Sequence, residues 1–304
     1  MIRNSIPSSP VLDGFEFVPI FPDFQETISK QWREAVKEVA KARALYPTAE
    51  DAILKEFDWG SIKQTNTPNH FVSSMNDCFD QNRLDPEFFS PRNACLEQRL
   101  IQSGALRFRE IEGSYIKGVQ PEAYSTEGDV TVIKSKDVVR TGINMATCDR
   151  ALANEIEVGQ GMVKPGMLVM NMTGVGTLGR TSVVPEFNGA AVVSVDVSGW
   201  TIRPGTLPVE YVSLFLNSSI GMTQTVRYQT GSSGQLHLYP EQIRRLLIFV
   251  KRDSRGSIRR EWHDNLASQV REASRLRLRG IARLQTVQAR FSQAIGLDPR
   301  IIRE

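Results

Sequence analysis

From residue 257 to about residue 295 the chain runs without a proline, and Gly280 is its only helix-weakening residue. That predicts one uninterrupted helix of roughly 55 Å at 1.5 Å per residue. Its apolar positions Trp262, Leu266, Val270, Ala273, Leu276, Leu284, Val287, Phe291 and Ala294 step mostly by three and four, the spacing of a seam for a partner helix. The core helix of an ordinary domain has the same spacing, but the length favours an antiparallel helical pair.

The partner is found at the other end of the chain. A constant offset of 230 places Pro10 on Pro240, Val18 on Ile248, Asp23 on Asp253, Ile28 on Ile258, Trp32 on Trp262 and Val36 on Leu266 without a gap. Four of these are identities, and one is tryptophan, of which the chain has only four. Both copies read as strand, turn and helix, so a duplication is expected. The first copy begins with a short strand at 15–20, followed by a helix over 24–46 with Ile28, Trp32 and Val36 as packing positions. Pro47 should stop or kink that helix. A second piece over 48–57 then starts with Thr48 as its cap and Asp51 three residues on.

Between the helical ends the pattern changes. Residues 59–82 are polar and mixed, with little regular structure expected, and a helix is expected over 92–104. Short β-branched runs recur at 130–133, 167–170, 181–184 and 191–197, separated by Gly, Pro and Asn-Gly, the signature of a curled antiparallel sheet. One helix interrupts them at 209–217, with Tyr211, Leu214 and Phe215 on one face. The expected fold class is therefore α+β, one β-rich domain with small helices, flanked by two long helices that form an antiparallel coiled-coil-like spacer. The expected boundaries are 1–58, 59–250 and 251–304.

An apolar fraction of 40% and a charged fraction of 23% are those of a globular chain. The net charge is only +3, but the stretch from Lys251 to Glu304 holds thirteen Lys and Arg against six Asp and Glu, which leaves the first 250 residues at minus four. Any basic field is local. Cys78, Cys95 and Cys148 are odd in number and share no CxxC spacing, which suggests neither disulfides nor zinc and fits a reducing cytoplasm. The first ten residues have no signal-peptide core, and no eighteen consecutive apolar residues occur, so a soluble cytoplasmic location is expected.

Catalytic motifs are scarce. Gly174-Val-Gly-Thr-Leu-Gly179 matches G-x-G-x-x-G, with Asp196 twenty residues after Gly176, but a dinucleotide site needs a helix directly after the glycines. Here the next residues are β-branched, broken by Pro185 and closed by Asn-Gly, so a tight turn is the better reading and a nucleotide-dependent enzyme the weaker one. His70, His237 and His263 are isolated from one another and from cysteine, and no P-loop, G-x-S-x-G or Asn-Pro-Pro-aromatic sequence occurs. No catalytic residue, cofactor or metal is expected. The β-rich domain does carry basic and amide side chains at its loops: Lys134, Lys136, Arg140, Asn171, Thr173 and Arg180, then Arg227, Tyr228, Gln229, Ser232, Ser233 and Gln235. Such groups pair with base edges or neutralise phosphate, although solvated loops have the same composition.

Four stretches together resemble the DNA-specificity (S) subunits of type I restriction-modification systems. They are Arg83-Leu-Asp-Pro-Glu-Phe-Phe-Ser-Pro91; Val163-Lys-Pro-Gly-Met-Leu-Val169 with the glycine turn; Tyr211 to Asn217 with Gly231-Ser-Ser; and the strand at 247–250 leading into the long helix. The resemblance implies a non-catalytic subunit whose target-recognition domain reads one half of a split double-stranded DNA target. Its helices would space the halves and dock DNA adenine methyltransferase (modification) subunits, with a restriction/translocase subunit as a further partner. The usual chain of that family has two recognition domains, whereas this sequence has one, which predicts a homodimer on a palindromic, interrupted site. Two alternatives stay open: the targeting subunit of another methylation-associated phage-defence system, and a scaffold whose arginines at 271, 275, 277, 279 and 283 bind acidic protein surfaces and no DNA.

Overall fold

In a computed structural model the described residues are 22–65, 68, 70–156, 159–231 and 234–295, and the expected strand at 15–20 lies outside them. The fold is α+β. Two long helices, α1 (Pro22–Phe57) and α9 (Arg260–Ala294), bracket a β-rich middle in sequence. The chain divides into two compact units, residues 1–40 with 279–304 and residues 41–278. This division runs through both long helices and so differs from the expected boundaries at 58 and 251.

The smaller unit is an antiparallel helical pair. Gly280 lies against the Ala35 carbonyl and Val39, and a Cβ at Gly280 would fall 2.7 Å from Val39 Cγ2. The glycine therefore acts here as the point of close approach and does not break the helix. Arg279 reaches Glu38 at 2.6 Å, Arg283 reaches Glu38 at 3.1 Å, and Arg290 reaches Gln31 at 3.3 Å. Partners on α1 fall in number as those on α9 rise, which fixes the antiparallel sense. Glu38 is largely covered while its two arginine partners are partly exposed, and these contacts set the register of the pair.

The expected seam is corrected at Trp32, Val36, Phe291 and Ala294, the last also being exposed. Trp32, Val36 and Phe291 are exposed by 49%, 43% and 40%, so they lie outside the contact between the helices. Val287, an expected seam position, is buried, and so is Ala35, which was not among the expected ones. Ile28 and Leu284 are half-buried. On the other half of α9, Leu266 and Val270 sit in the core of the larger unit with Trp262 packed beside them, and Ala273 and Leu276 are also buried.

Pro47 does not end a helix. α1 continues through it to Phe57, with Pro47 exposed to solvent and Tyr46, Ala49, Ile53 and Phe57 packed into one core. Thr48 is accordingly not a cap, and its hydroxyl donates back to the Ala44 carbonyl at 2.9 Å. The two copies of the repeat also differ at their starts. α1 already begins at Pro22, whereas in the second copy the Asp253 carboxylate accepts from the N–H groups of Arg255 and Ser257 at 2.9 Å each and holds a turn. The helix there begins only at Arg260.

In the larger unit the stretch after α1, expected to be irregular, holds α2 (Trp59–Lys63) and α3 (Met75–Gln81). α4 (Pro91–Gln102) follows, with the Ser90 hydroxyl accepting from the Asn93 N–H. Next come β1 (Leu106–Arg107), α5 (Phe108–Ile111), β2 (Glu112–Ile116), β3 (Val130–Ile133), β4 (Asp149–Ala151), β5 (Leu168–Asn171), β6 (Thr181–Val183), β7 (Ala190–Val193) and β8 (Val197–Ile202). The strands form three small sheets in place of one: an antiparallel sheet ordered β2-β8-β5-β6, a three-stranded sheet ordered β4-β3-β7, and an antiparallel pairing of β1 with the last strand, β9 (Leu247–Ile248). β3 and β7 pair in parallel, a crossover that alternation within each strand cannot reveal. The single run expected at 191–197 is divided by a turn, where the Val197 N–H donates to the Ser194 carbonyl.

α6 (Val209–Asn217), α7 (Ser219–Tyr228), α8 (Pro240–Ile243) and β9 (Leu247–Ile248) complete the unit. α6 is buried on every side from Tyr211 to Asn217 and not along one face alone. The Tyr211 hydroxyl donates to the Phe249 carbonyl at 2.7 Å, and Trp200 and Phe108 meet edge to face at 5.2 Å. This core fixes the frame from which the loops project.

Candidate nucleic-acid interface

The loops of the larger unit are joined in series by hydrogen bonds. The Asn171 amide donates to the Ser135 carbonyl at 3.1 Å, which ties the end of β5 to the loop after β3. Two residues on, Thr173 bridges His237, and His237 in turn bridges Thr230. The Gly174 N–H donates to the Leu236 carbonyl. The glycine turn and the 230–237 hairpin therefore stand side by side.

The glycine turn is a strand connection. The Gly179 N–H donates to the Asn171 carbonyl at 2.9 Å, Gly179 has φ 73°, and β6 follows directly. A Cβ at Gly179 would fall 2.5 Å from the Thr225 side chain of α7, so the turn is pressed onto that helix. Asp196, the acid at dinucleotide spacing, accepts from the Thr173 hydroxyl at 2.7 Å. With a strand where the helix should begin, no helix N-terminus faces the turn.

The hairpin begins at the end of α7. Gly231 has φ 107°, and a Cβ there would fall 2.0 Å from the Gln235 carbonyl oxygen, so only glycine closes this loop without strain. Beside it lies a cleft of about 600 Å³ whose walls include Gln81, Arg83, Gln229, Gln242 and Arg245. Arg83 builds one wall. Its guanidinium grips Asp85 at 2.7 and 2.9 Å and donates to the carbonyls of Tyr228 at 3.2 Å and Gln229 at 2.8 Å. Burial works to raise the Asp85 carboxyl pKa, but hydrogen bonding and charge from Arg83 outweigh it and hold it below the usual range.

The cleft combines donor groups with the carboxylates of Asp85 and Glu87, which also line it. The Gln242 side-chain oxygen accepts from the Tyr239 N–H at 2.7 Å, and the Gln81 side-chain oxygen accepts from Arg245. Both amides are left with their NH₂ groups as donors. Arg245 lies over the Tyr228 ring at 4.8 Å, and among the described residues it has no carboxylate partner. Tyr239, 54% exposed, stacks on His237 at 5.8 Å with an interplanar angle of 11°.

The residues singled out from sequence divide into distinct groups. Gln229 lines the cleft, Gln235 is exposed on the hairpin, and Ser232 and Ser233 lie outside the described residues. Arg227 is a correction, because it is buried, whereas Tyr228, although largely covered, lines the cleft beneath Arg245. The Arg227 guanidinium donates to the carbonyls of Phe88 at 3.0 Å and Asn93 at 3.2 Å and to the Glu97 carboxylate at 2.7 Å. It fastens α7 to α4 and has no reach to a groove. Asn171 is fully buried and joins loops. Arg180 braces the glycine turn through the Gly176 carbonyl at 3.1 Å. Lys134 and Lys136 share Asp149 at 2.7 and 3.0 Å, and Lys134 also lies 3.5 Å from the Tyr124 ring centroid. Burial works to lower the Lys134 pKa, but the hydrogen bonds to Asp149 and Tyr124 raise it overall. Arg140 is exposed at a separate cavity of about 460 Å³ with Ser182 and Arg271.

Gln81, Gln242 and Arg245 were missed. Gln81 sits in the stretch expected to be irregular, and Arg245 directly precedes the last strand. Their shared location depends on the segment at 75–81 meeting the one at 240–245, for which the sequence carries no local signal.

Among the described residues no three His, Cys, Asp or Glu gather as a metal site, and no helix is long and apolar enough to cross a membrane. Cys148 is buried, and burial followed by the charges of Asp137 and Asp149 pushes its thiol up to about 12, so it stays protonated and unreactive. His263 is buried, with Nε2 accepting from the Lys251 N–H at 3.2 Å and Nδ1 facing the Arg259 carbonyl at 2.8 Å. That pattern fixes a neutral ring protonated on Nδ1.

No protein-family model and no curated protein matches the chain. Among solved structures, similarity is found to a chain from work on complex assembly and conformational transition of the type I R-M system, at 15% identity and a TM-score of 0.41 over 91% of this chain and 58% of that one. The HsdS subunit from Thermoanaerobacter tengcongensis is similar at 12% identity and a TM-score of 0.38, over 87% of this chain and 53% of that one. The type I restriction-modification system S subunit from M. genitalium is similar at 11% identity and a TM-score of 0.37, over 90% and 58%. The chain thus spans between 53% and 58% of the length of these solved chains.

Proposed function

We propose that the chain is the sequence-reading, non-catalytic subunit of a type I restriction-modification complex or a related methylation-associated defence complex. The observation that carries this reading is the polar cleft beside the Gly231 hairpin, where Gln81, Gln229, Gln242 and Arg245 meet on walls that also include Asp85 and Glu87. An arginine fork and free amide donors suit an acceptor-rich edge, such as the O6 and N7 of guanine in a major groove. The exposed Gln235, the Tyr239–His237 stack and the glycine turn extend the same edge and supply further contacts to base or backbone.

The larger unit in this reading recognises one half of a bipartite duplex target, and DNA adenine methyltransferase subunits dock on the helices, with a restriction/translocase subunit as an additional partner. Two copies of the chain supply the two halves. The resemblance of the four sequence stretches supports the family, and the cleft chemistry supports DNA as the ligand.

Methylome sequencing of cells with and without the chain tests the proposal. A modified, interrupted palindromic motif that appears only in its presence is the expected result. An unchanged methylome in cells that express the chain together with its neighbouring methyltransferase overturns it.

A further inference from the structure

The cavity of about 460 Å³ at Arg140 lies wholly within the larger unit and shares no residue with the cleft of Gln229 and Arg245. Its walls are mainly apolar, with Val183, Val184, Pro185, Val270 and Leu278 among them. The loop at 140–142 is held against α9. Arg277 donates to the Gly142 carbonyl at 2.9 Å, and a Cβ at Gly142 would fall 2.2 Å from Ser274 Oγ. A concave apolar space with a few placed polar groups is the ordinary form of a small-molecule site.

One such group is the free edge of a sheet. β6 is the outer strand of the order β2-β8-β5-β6. The Asn171 N–H donates to the Arg180 carbonyl and the Val184 N–H to the Met167 carbonyl. The backbone groups of Thr181 and Val183, one residue out of step, therefore face away from β5. At Thr181 the chain itself fills the outward pair: the Asn217 side-chain oxygen accepts from the Thr181 N–H at 3.0 Å, and its NH₂ donates to the Thr181 carbonyl at 2.9 Å. A single carboxamide thus satisfies the N–H and C=O of a single residue. Val183 presents the same pair on the same side, is half-buried and lines the cavity. Among the described residues neither of its groups has a partner.

Ser182, 1% exposed, also lines the cavity, and its hydroxyl is unpartnered among the described residues. Arg140 is exposed there and forms no ion pair among the described residues, although its charge reaches Glu50 and Tyr46. Arg271, by contrast, is held by Glu210 at 2.9 Å. Three arginines against two glutamates, the second being Glu186, leave the walls with one positive charge in excess.

We propose that this cavity binds a free nucleotide whose base carries an amino group beside a ring nitrogen, adenine or cytosine, with its phosphate at Arg140. The ring nitrogen accepts from the Val183 N–H and the amino group donates to the Val183 carbonyl. Acceptor and donor are joined through one carbon, as they are in the Asn217 carboxamide. Hypoxanthine and uracil present the reverse order, a ring N–H beside a carbonyl oxygen, and set donor against donor. The site is separate from the proposed DNA edge and does not rest on that reading.

Titration calorimetry of the full chain with the monophosphates of adenosine, cytidine, inosine and uridine, and with adenosine itself, tests it. The adenosine and cytidine monophosphates bind with dissociation constants below about 1 mM, and the other two at least about 10-fold more weakly for want of two matched hydrogen bonds. Arg140→Ala weakens adenosine monophosphate about 10-fold and leaves adenosine unchanged, because the lost contact is to phosphate. Val183→Pro, on an edge strand where a missing N–H is tolerated, no longer distinguishes the adenosine from the inosine nucleotide. Should that variant fail to fold, hydrogen exchange at the Val183 amide of the natural chain decides, slowing in saturating adenosine monophosphate and not in the inosine nucleotide. Absence of binding by the adenosine and cytidine nucleotides at about 10 mM, equal binding of the inosine nucleotide, or a Val183 amide that none of them protects overturns the proposal. Displacement of the nucleotide by duplex DNA also overturns it, and would assign the cavity to the DNA edge.

Discussion

The Arg83 guanidinium donates to the Gln229 carbonyl at 2.8 Å, across 146 residues of sequence, and so anchors the residue that leads into the 230–237 hairpin to the turn at 83–91. The same guanidinium grips Asp85 and lies 4.8 Å from the Phe88 ring centroid. One side chain thereby sets the position of the loop and one wall of the cleft.

Arg83→Ala is therefore expected to loosen the hairpin more than the core. Hydrogen bonds from charged groups are worth about 1.5–3 kcal/mol each, but the Asp85 pair is partly exposed and the net loss is smaller. Hydrogen exchange should speed up at residues 229–237 while protection of α6 stays unchanged, with affinity for the recognised DNA falling in parallel. Uniform loss of protection would assign Arg83 to global stability.

Arg227 carries the opposite expectation. Its guanidinium is buried against two carbonyls and Glu97, and its removal leaves the two covered carbonyls without a donor, at a cost of about 1–3 kcal/mol each, while the partly exposed Glu97 is resolvated. Denaturant unfolding of Arg227→Ala should show a loss of that order. Base specificity of the folded fraction should be unchanged, and a relaxed specificity at natural stability would contradict the burial.

Gly231→Ala places a Cβ at φ 107° and against the Gln235 carbonyl oxygen. Strain of that kind costs about 1–3 kcal/mol, here borne by an exposed hairpin that opens locally. The expected outcome is weakened DNA binding with a small change in melting temperature. Unchanged binding would remove the hairpin from the interface.

His263 gives the pH dependence. Burial first, with the nearby charges of Arg260 and Lys251, holds its pKa below the ordinary 6.5, against an opposing hydrogen bond to the Arg259 carbonyl and the charge of Asp264. The unfolded chain then binds the extra proton at higher pH than the folded one, so stability is complete above about pH 6.5 and falls as pH drops below it. The slope is limited to one proton, about 1.4 kcal/mol per pH unit. Melts from pH 7.5 to 5 on the natural chain and on His263→Gln should differ in that slope, and identical slopes would contradict the assignment.

Much of this architecture was legible in local pattern. The proline-free run gave α9 to within three residues of its start, and the apolar clusters located α6 and most strands, because periodicity and turn residues act over one or two turns of chain. Pro47 misled because the helix continues through an exposed proline whose flanking residues pack into one core, and that packing is tertiary. The same limit explains Arg227, whose burial depends on Phe88 and Glu97 more than 100 residues away, and Trp32, which repeats Trp262 in sequence but not in surroundings. The cleft was the least legible part, since Gln81, Gln229 and Arg245 become neighbours only after α3, α7 and α8 pack together.

The central claim is that this edge reads DNA sequence. Selection of duplexes from a randomised pool by the full chain, alongside Arg245→Ala and Gln229→Ala, measures it most directly. The account predicts enrichment of a short motif containing guanine by the natural chain. Each variant should lose about 1–3 kcal/mol on that motif, with little change on unrelated DNA. Binding with no enriched motif, or a motif that both variants select as well as the natural chain does, would contradict it.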